Sequence, residues 1–261
     1  MNQSLRHPLF LCLIGSCVFL FKSSTAQTIK NDDLVVSRWA EKPINVDGQL
    51  KDWNDSLRYS NDDTQFAFNL SNDDKTLYLA IKSKNKQNLN RILARGISFS
   101  VNTDGKKKAK ETVVFPIIER SSQQVKPLKG QPDIKEEQAN ILSRMQKIDV
   151  SGFAEILDGS ISMNNTYGIG AAAGFDSENN LVTEIAIPLQ HLGITNNHES
   201  IAILIEINGI KQPRTAYNPN RDSRSGMYGY PNRDYRYDRR PLVNKQNAAT
   251  GFWVKSTLAK R

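Results

Sequence analysis

Ile44-Asn45-Val46-Asp47-Gly48-Gln49-Leu50-Lys51-Asp52-Trp53 is the stretch whose reading decides the fold of this chain. Ile44 and Val46 alternate with polar Asn45, as on a strand with one buried face. Asp47-Gly48 follows, a pair that turns the backbone at low steric cost. Asp52-Trp53 then places a large aromatic where it seals one end of a core. The stretch predicts a strand, a tight turn and a structural tryptophan. Asp47, Gly48 and Trp53 are therefore assigned to the fold and not to a ligand.

Downstream, the same alternation recurs. Phe66, Phe68 and Leu70 alternate with polar residues, Ser71-Asn72-Asp73-Asp74-Lys75 makes a turn, and Leu77, Leu79 and Ile81 alternate on the way back. This is a hairpin with one buried face. Ile97, Phe99 and Val101 alternate with Ser98 and Ser100, predicting a half-buried strand that stops at the turn Asn102-Thr103-Asp104-Gly105. A short strand is expected at Val113–Phe115, closed by Pro116, and residues 119–131 read as a loop. From Pro132 to Ile148, apolar residues recur at near-helical spacing, with Pro132 and Asp133 suited to a helix start. Further strands are expected at Gly152–Leu157, Tyr167–Phe175, Leu181–Ile187, Ile201–Ile207 and Phe252–Leu258. Many short strands, one helix and no βαβ rhythm predict an all-β fold: an antiparallel, jelly-roll-like β-sandwich with one inserted helix.

Several of these segments, taken in order, resemble the family 9 carbohydrate-binding-module-like (DOMON-like) β-sandwiches of exported bacterial proteins. The opening stretch is similar to that family's "I-x-V/I-D-G-x-L-x-x-W" start. Leu77-Tyr78-Leu79-Ala80 after an Asn-Asp-Asp turn resembles its "D-x-x-L-Y-L/V-A" segment. Ser98 to Gly105 resembles its strand ending in "D-x-D-G", with Asn102 in place of the first Asp. Glu184-Ile185-Ala186-Ile187-Pro188-Leu189 with Leu192-Gly193 resembles its "E-x-A-I-P-x-x-x-L-G" segment. The anchors span Pro43 to Ile210, with residues 104–165 reading as an insertion. The resemblance implies a sandwich that binds sugar. Sugar-binding members are understood to clamp a terminal ring between two tryptophans. Here Trp39, Trp53 and Trp253 are present, Trp53 belongs to the fold motif, and no two can be placed as a clamp from sequence.

The chain's beginning reads as an export signal. Met1–Arg6 is polar and basic, Pro8–Phe21 is apolar, and Ser24-Thr25-Ala26 offers small residues for cleavage before Gln27. The apolar run is short for a membrane span, which needs about 20 residues. An uncleaved anchor and a lipoprotein signal at Cys17 are the weaker alternatives. The expected organisation is a signal at 1–26, a lead-in at 27–42 and one sandwich domain at 43–261. No transmembrane segment is expected in the mature chain, and its destination is periplasmic, cell-surface or secreted. Both cysteines, Cys12 and Cys17, fall in the signal, so the mature chain has no disulfide and no thiol chemistry.

Formal net charge is +8, and removal of Arg6 and Lys22 with the signal leaves +6. Residues 211–245 carry a surplus of six, the whole of that charge. In an exported protein this favours anionic glycans, glycoconjugates or membrane surface over nucleic acid. Within it, the Tyr/Arg-rich segment 212–241 holds five of the chain's eight tyrosines: Tyr217, Tyr228, Tyr230, Tyr235 and Tyr237. Arg233 and Arg236 are among the arginines interleaved with them. Tyrosine faces stack on sugar rings and arginine forks bind carboxylate, sulfate or phosphate, a composition suited to an acidic saccharide. A basic loop held against the sandwich by Tyr–Arg stacking explains the same composition. These seven residues, with Trp253, are the expected ligand-binding set.

Nothing in the sequence assembles a catalytic or metal site. His191 and His198 read as surface turn histidines. Asn102–Gly105 has calcium-loop character, but Lys106, Lys107 and Lys108 beside it disfavour a divalent cation, leaving a hairpin turn. Glu184 and Glu206 are the best strand-borne carboxylates for glycoside hydrolysis, and Glu184 reads more simply as solvated or sheet-bridging. No cofactor is expected. The reading is an exported, non-catalytic saccharide-binding protein. The alternative is an envelope structural or assembly protein docking a protein partner through the Tyr/Arg segment, and a glycoside-active enzyme comes third.

Overall fold

The structure, a computed structural model, describes residues 26–118, 133–194, 200–209 and 248–261. Along the first half run β1 (Gln27–Thr28), β2 (Leu34–Val36), β3 (Arg38–Trp39), β4 (Tyr59–Asn61), β5 (Phe66–Asn72), β6 (Thr76–Ser83), α1 (Lys86–Arg95), β7 (Ile97–Asn102) and β8 (Glu111–Ile118). The second half supplies α2 (Ile134–Ser143), β9 (Met145–Ser151), β10 (Gly159–Ser162), β11 (Gly170–Phe175), β12 (Leu181–Pro188), β13 (Ile201–Ile207) and β14 (Thr250–Thr257). They form two sheets of a β-sandwich. The first runs β1-β4-β5-β6-β12-β11, with β3 also paired to β5, and the second runs β10-β9-β8-β7-β13-β14-β2. Most pairings are antiparallel, but β1 joins β4, β3 joins β5 and β2 joins β14 in parallel. These three short lead-in strands lie beside strands that are already in place.

Alternation builds the core. Phe66, Phe68 and Leu70 of β5, Leu77, Leu79 and Ile81 of β6 and Ile185 and Ile187 of β12 face Phe99, Ile203, Ile205, Phe252 and Val254 of the other sheet. Phe68 and Phe252 meet across the middle with ring centroids 5.2 Å apart. Each such side chain contributes about 1.5–3 kcal/mol on burial.

Several expectations need correction. Ile44 and Val46 form no strand: residues 40–50 are irregular, and this lead-in crosses the outer face of the first sheet. Trp53 sits in a 3-10 turn, Lys51–Trp53, and closes a second apolar layer on that outer face; it does not seal an end of the main core. The β5–β6 hairpin is consequently buried on both faces, Tyr78 and Ala80 facing this layer. The β7 strand is likewise buried throughout, its Ser98 and Ser100 included.

The helix expected over 132–148 is present as α2, but it ends at Ser143, and Ile148 belongs to β9. No helix was expected at α1. Asn85 caps it by accepting from Gln87 N–H and Asn88 N–H, and buried Ile92 anchors it. The β8 strand runs through Pro116, with its register against β9 shifted between Val114 and Ile117. Residues 152–157 form a loop and not a strand, although Phe153 and Ile156 are buried in the core. Segments 1–25 (the expected signal but for Ala26) and 119–132 (the whole of the expected loop) lie outside the described residues, as do 195–199 and 210–247. Among the described residues no helix is long and apolar enough to cross a membrane.

Candidate functional site

The residues of the opening motif come together with one carboxylate from far along the chain. Leu50, Trp53 and Leu57 pack on Tyr78, Ala80, Val182 and Ala186, and Glu184 projects from β12 into this layer. Its carboxylate accepts from Trp53 Nε1–H at 2.6 Å, Gly48 N–H at 2.7 Å and Asp47 N–H at 3.0 Å. Glu184 is 1% exposed, so of the two expected readings, solvated or sheet-bridging, the solvated one is wrong. Burial raises its pKa above the ordinary value, while the three donors pull the other way. Gly48 adopts φ +78°, and a Cβ there would lie 2.4 Å from the Ala173 carbonyl carbon. Gly174 meets Gly48 just as closely, so the two backbones touch where any side chain would part them. Asp47, Gly48 and Trp53 thus share one partner, the Glu184 carboxylate.

The same geometry takes apart the carboxylate pair proposed for glycoside hydrolysis. Glu184 lies on the outer face of the first sheet, between inward Thr183 and Ile185. Glu206 lies on the outer face of the second, between inward Ile205 and Ile207. Two sheets pack about 10 Å apart, and each carboxylate points away from the other, beyond the roughly 5–10 Å that such a mechanism requires. Glu206 is half-buried, and burial alone raises its pKa.

His191 is not a surface histidine: its side chain is 7% exposed. Its Nε2 lies 2.9 Å from Tyr167 O, and Nδ1 has no hydrogen-bond partner, with the Glu155 carboxylate 3.9 Å away. His198 lies outside the described residues. Asn102–Gly105 is a self-contained turn, in which Asn102 Oδ1 accepts from Asp104 N–H and its Nδ2 donates to Lys108 O. Among the described residues no group of three or more His, Cys, Asp or Glu side chains is placed to hold a metal.

Of the expected ligand-binding set, only Trp253 is described. It faces outward from β14, opposite Leu204 of β13, and is half-buried. Tyr217, Tyr228, Tyr230, Tyr235, Tyr237, Arg233 and Arg236, and the whole of 212–241, lie outside the described residues.

Concavity gathers instead around Trp39, which the sequence did not single out as a ligand contact. The short strand β3 pairs with the end of β5, Trp39 opposite Asn72, and this holds the half-buried indole beside the β5–β6 turn. A cleft of about 620 Å³ is lined by Trp39, Glu41, Lys42, Pro43, Asp74 and Arg261, among others. A second, of about 510 Å³, shares residues 39–43 and reaches Lys51 and Asn54. A third, of about 280 Å³, shares Trp39, Asp73, Asp74 and Arg261 and reaches Leu189, Ile194 and Leu258. Asp73 is committed to the fold, accepting from Lys75 N–H, Thr76 N–H and Tyr78 O–H. Glu41, Lys42, Asp74 and Lys75 are exposed. Asn72 fixes the far wall, its side chain bonding both the N–H and the carbonyl of Ala259. An aromatic ring amid exposed acceptors and donors suits a ligand with apolar faces and hydroxyl edges. The three tryptophans occupy three places: Trp53 under the lead-in, Trp39 at the clefts and Trp253 on the second sheet. Trp39 and Trp53 both border the cleft of about 510 Å³, but Trp53 is 4% exposed and its Nε1–H is bonded to Glu184, so its ring is largely committed to the fold.

No protein-family model matches the chain, and no curated protein matches it. Among solved structures, the chain is similar to a carbohydrate-binding module of family 9 from Caldicellulosiruptor kristjanssonii in complex with glucose. Identity is 8%, the TM-score is 0.36, and the match covers 88% of this chain and 97% of that chain. At that TM-score no residue of one chain is placed on the other.

Proposed function

We propose that this chain is an exported, non-catalytic saccharide-binding protein that receives its ligand at the Trp39 cleft. The observation that carries the reading is a half-buried indole on which three adjoining clefts converge, with exposed carboxylates and ammonium groups around it. Apolar sugar faces stack on such a ring, and Glu41, Asp74, Lys42 and Lys75 are of the right chemistry for the hydroxyl edges. A non-catalytic role is supported by the carboxylates. Glu184 is enclosed by its own donors, and Glu206 points from the opposite side of the sandwich. Export rests on the signal-like start, and N-terminal sequencing of exported protein should begin at or near Gln27.

The test is a glycan array probed with the parent and with Trp39→Ala. Binding by the parent that falls about tenfold or more in the variant, with unchanged melting, supports the reading. Binding that survives Trp39→Ala but is lost when Tyr228, Tyr230, Tyr235 and Tyr237 become alanine moves the site to the Tyr/Arg segment.

A further inference from the structure

We infer that the Trp39 site takes an interior run of a linear glycan and not a free monosaccharide or a chain end. The inference rests on the reading of this cleft as a saccharide site, and it follows from what borders the cleft on its two sides. On one side, residues 39–43 line both the cleft of about 620 Å³ and that of about 510 Å³, whose lining includes Lys51 and Asn54. On the other, Asp73, Asp74 and Arg261 line both it and the cleft of about 280 Å³, whose lining includes Ile194, Leu258 and Lys260. A ring stacked on Trp39 therefore has concave surface beyond it in both directions. A site selecting a chain end needs one closed wall, with buried polar groups reading the terminal hydroxyl. Around Trp39 the polar residues without a structural bond, Glu41, Lys42, Asp74 and Lys75, are exposed and form a rim. The flanking clefts also differ in chemistry. The cleft that reaches Lys51 is lined also by Pro43, Ile44 and Trp53 and is the more apolar, whereas the cleft that reaches Leu258 is lined also by Asp73, Asp74, Lys260 and Arg261 and is the more polar. Such asymmetry gives a bound chain a preferred direction.

Two ladders from monomer to hexamer, a β-1,4-glucan and an oligogalacturonate, serve as probes in titration calorimetry. For the ladder that binds, affinity should rise about tenfold or more from monomer to hexamer. Borohydride reduction of the hexamer's end unit should change it little. Lys51→Ala and Lys260→Ala, both at exposed positions, should each weaken the hexamer roughly threefold to tenfold and leave the monomer unaffected. Trp39→Ala should weaken every length. Length-independent affinity that Trp39→Ala still removes, or loss of binding on reduction, overturns the interior-run inference while leaving the saccharide reading intact. No affinity for either ladder overturns both.

Discussion

Trp39, in the lead-in, and Trp53, in the motif that follows it, meet opposite fates. Trp53 is 4% exposed, its indole N–H is held by Glu184, and the layer around it is closed by apolar side chains. Trp39 is half-buried where three clefts meet, and the charged side chains beside it face solvent. The tryptophan inside a recognisable motif is the one the fold encloses, and the one outside any motif is left half-buried at the clefts. A recurring motif records what the backbone needs, whereas a binding ring has to stay open.

The largest effect expected from this contrast is on Trp53. Trp53→Ala should cost about 3–5 kcal/mol in chemical denaturation, because it leaves a void under the lead-in and removes a donor from Glu184. A variant that melts like the parent would break the assignment of Trp53 to the fold. Next comes Glu184→Gln, expected to cost about 1–3 kcal/mol at pH 7, since an amide cannot accept from all three donors. Gly48→Ala should be comparable, about 1–3 kcal/mol, because φ +78° is strained for alanine and its Cβ meets the Ala173–Gly174 backbone. Matched melts of the two variants would show whether carboxylate and glycine hold one joint.

Glu206→Gln sharpens the comparison by inverting it. Burial raises the Glu206 pKa above 4.5, so the folded state holds this proton more tightly than the unfolded state does. The resulting stability is fully present below the unfolded pKa and is lost as pH rises through the raised folded value. Glutamine mimics the neutral acid at every pH. Parent and variant should therefore melt together near pH 4, and the variant should melt slightly higher at pH 7. Equal melting at both values would mean that the carboxylate is not penalised. The smallest stability effect is expected for Trp39→Ala, within about 0.5 kcal/mol, with loss of glycan binding as its signature. A large loss of stability there would make Trp39 a second Trp53.

Much of the fold was legible because alternation survives wherever one strand face meets the core. Phe66–Ile81, Leu181–Ile187 and Ile201–Ile207 announce their strands for that reason. Alternation misled at Ile44 and Val46, where apolar residues serve a segment lying across a sheet without joining its ladder. Residues 152–157 misled in the same way, because Phe153 and Ile156 are buried from a loop. The α1 helix was missed although Asn85, Leu89, Ile92, Leu93 and Gly96 mark a cap, an apolar stripe and a stop. Its short stripe among Lys, Gln and Asn reads as polar linker until packing selects it.

The all-β class and most of the strands follow from the sequence alone, since these depend on periodicity and local turn chemistry. Tertiary structure alone decided that Glu184 is the partner of Asp47, Gly48 and Trp53, that Glu184 and Glu206 lie on opposite outer faces, and that Trp39 is the ring left open. Each of these is a relation between residues far apart along the chain. A carboxylate is enclosed or free, and an indole covered or exposed, only according to which strand the fold lays beside it.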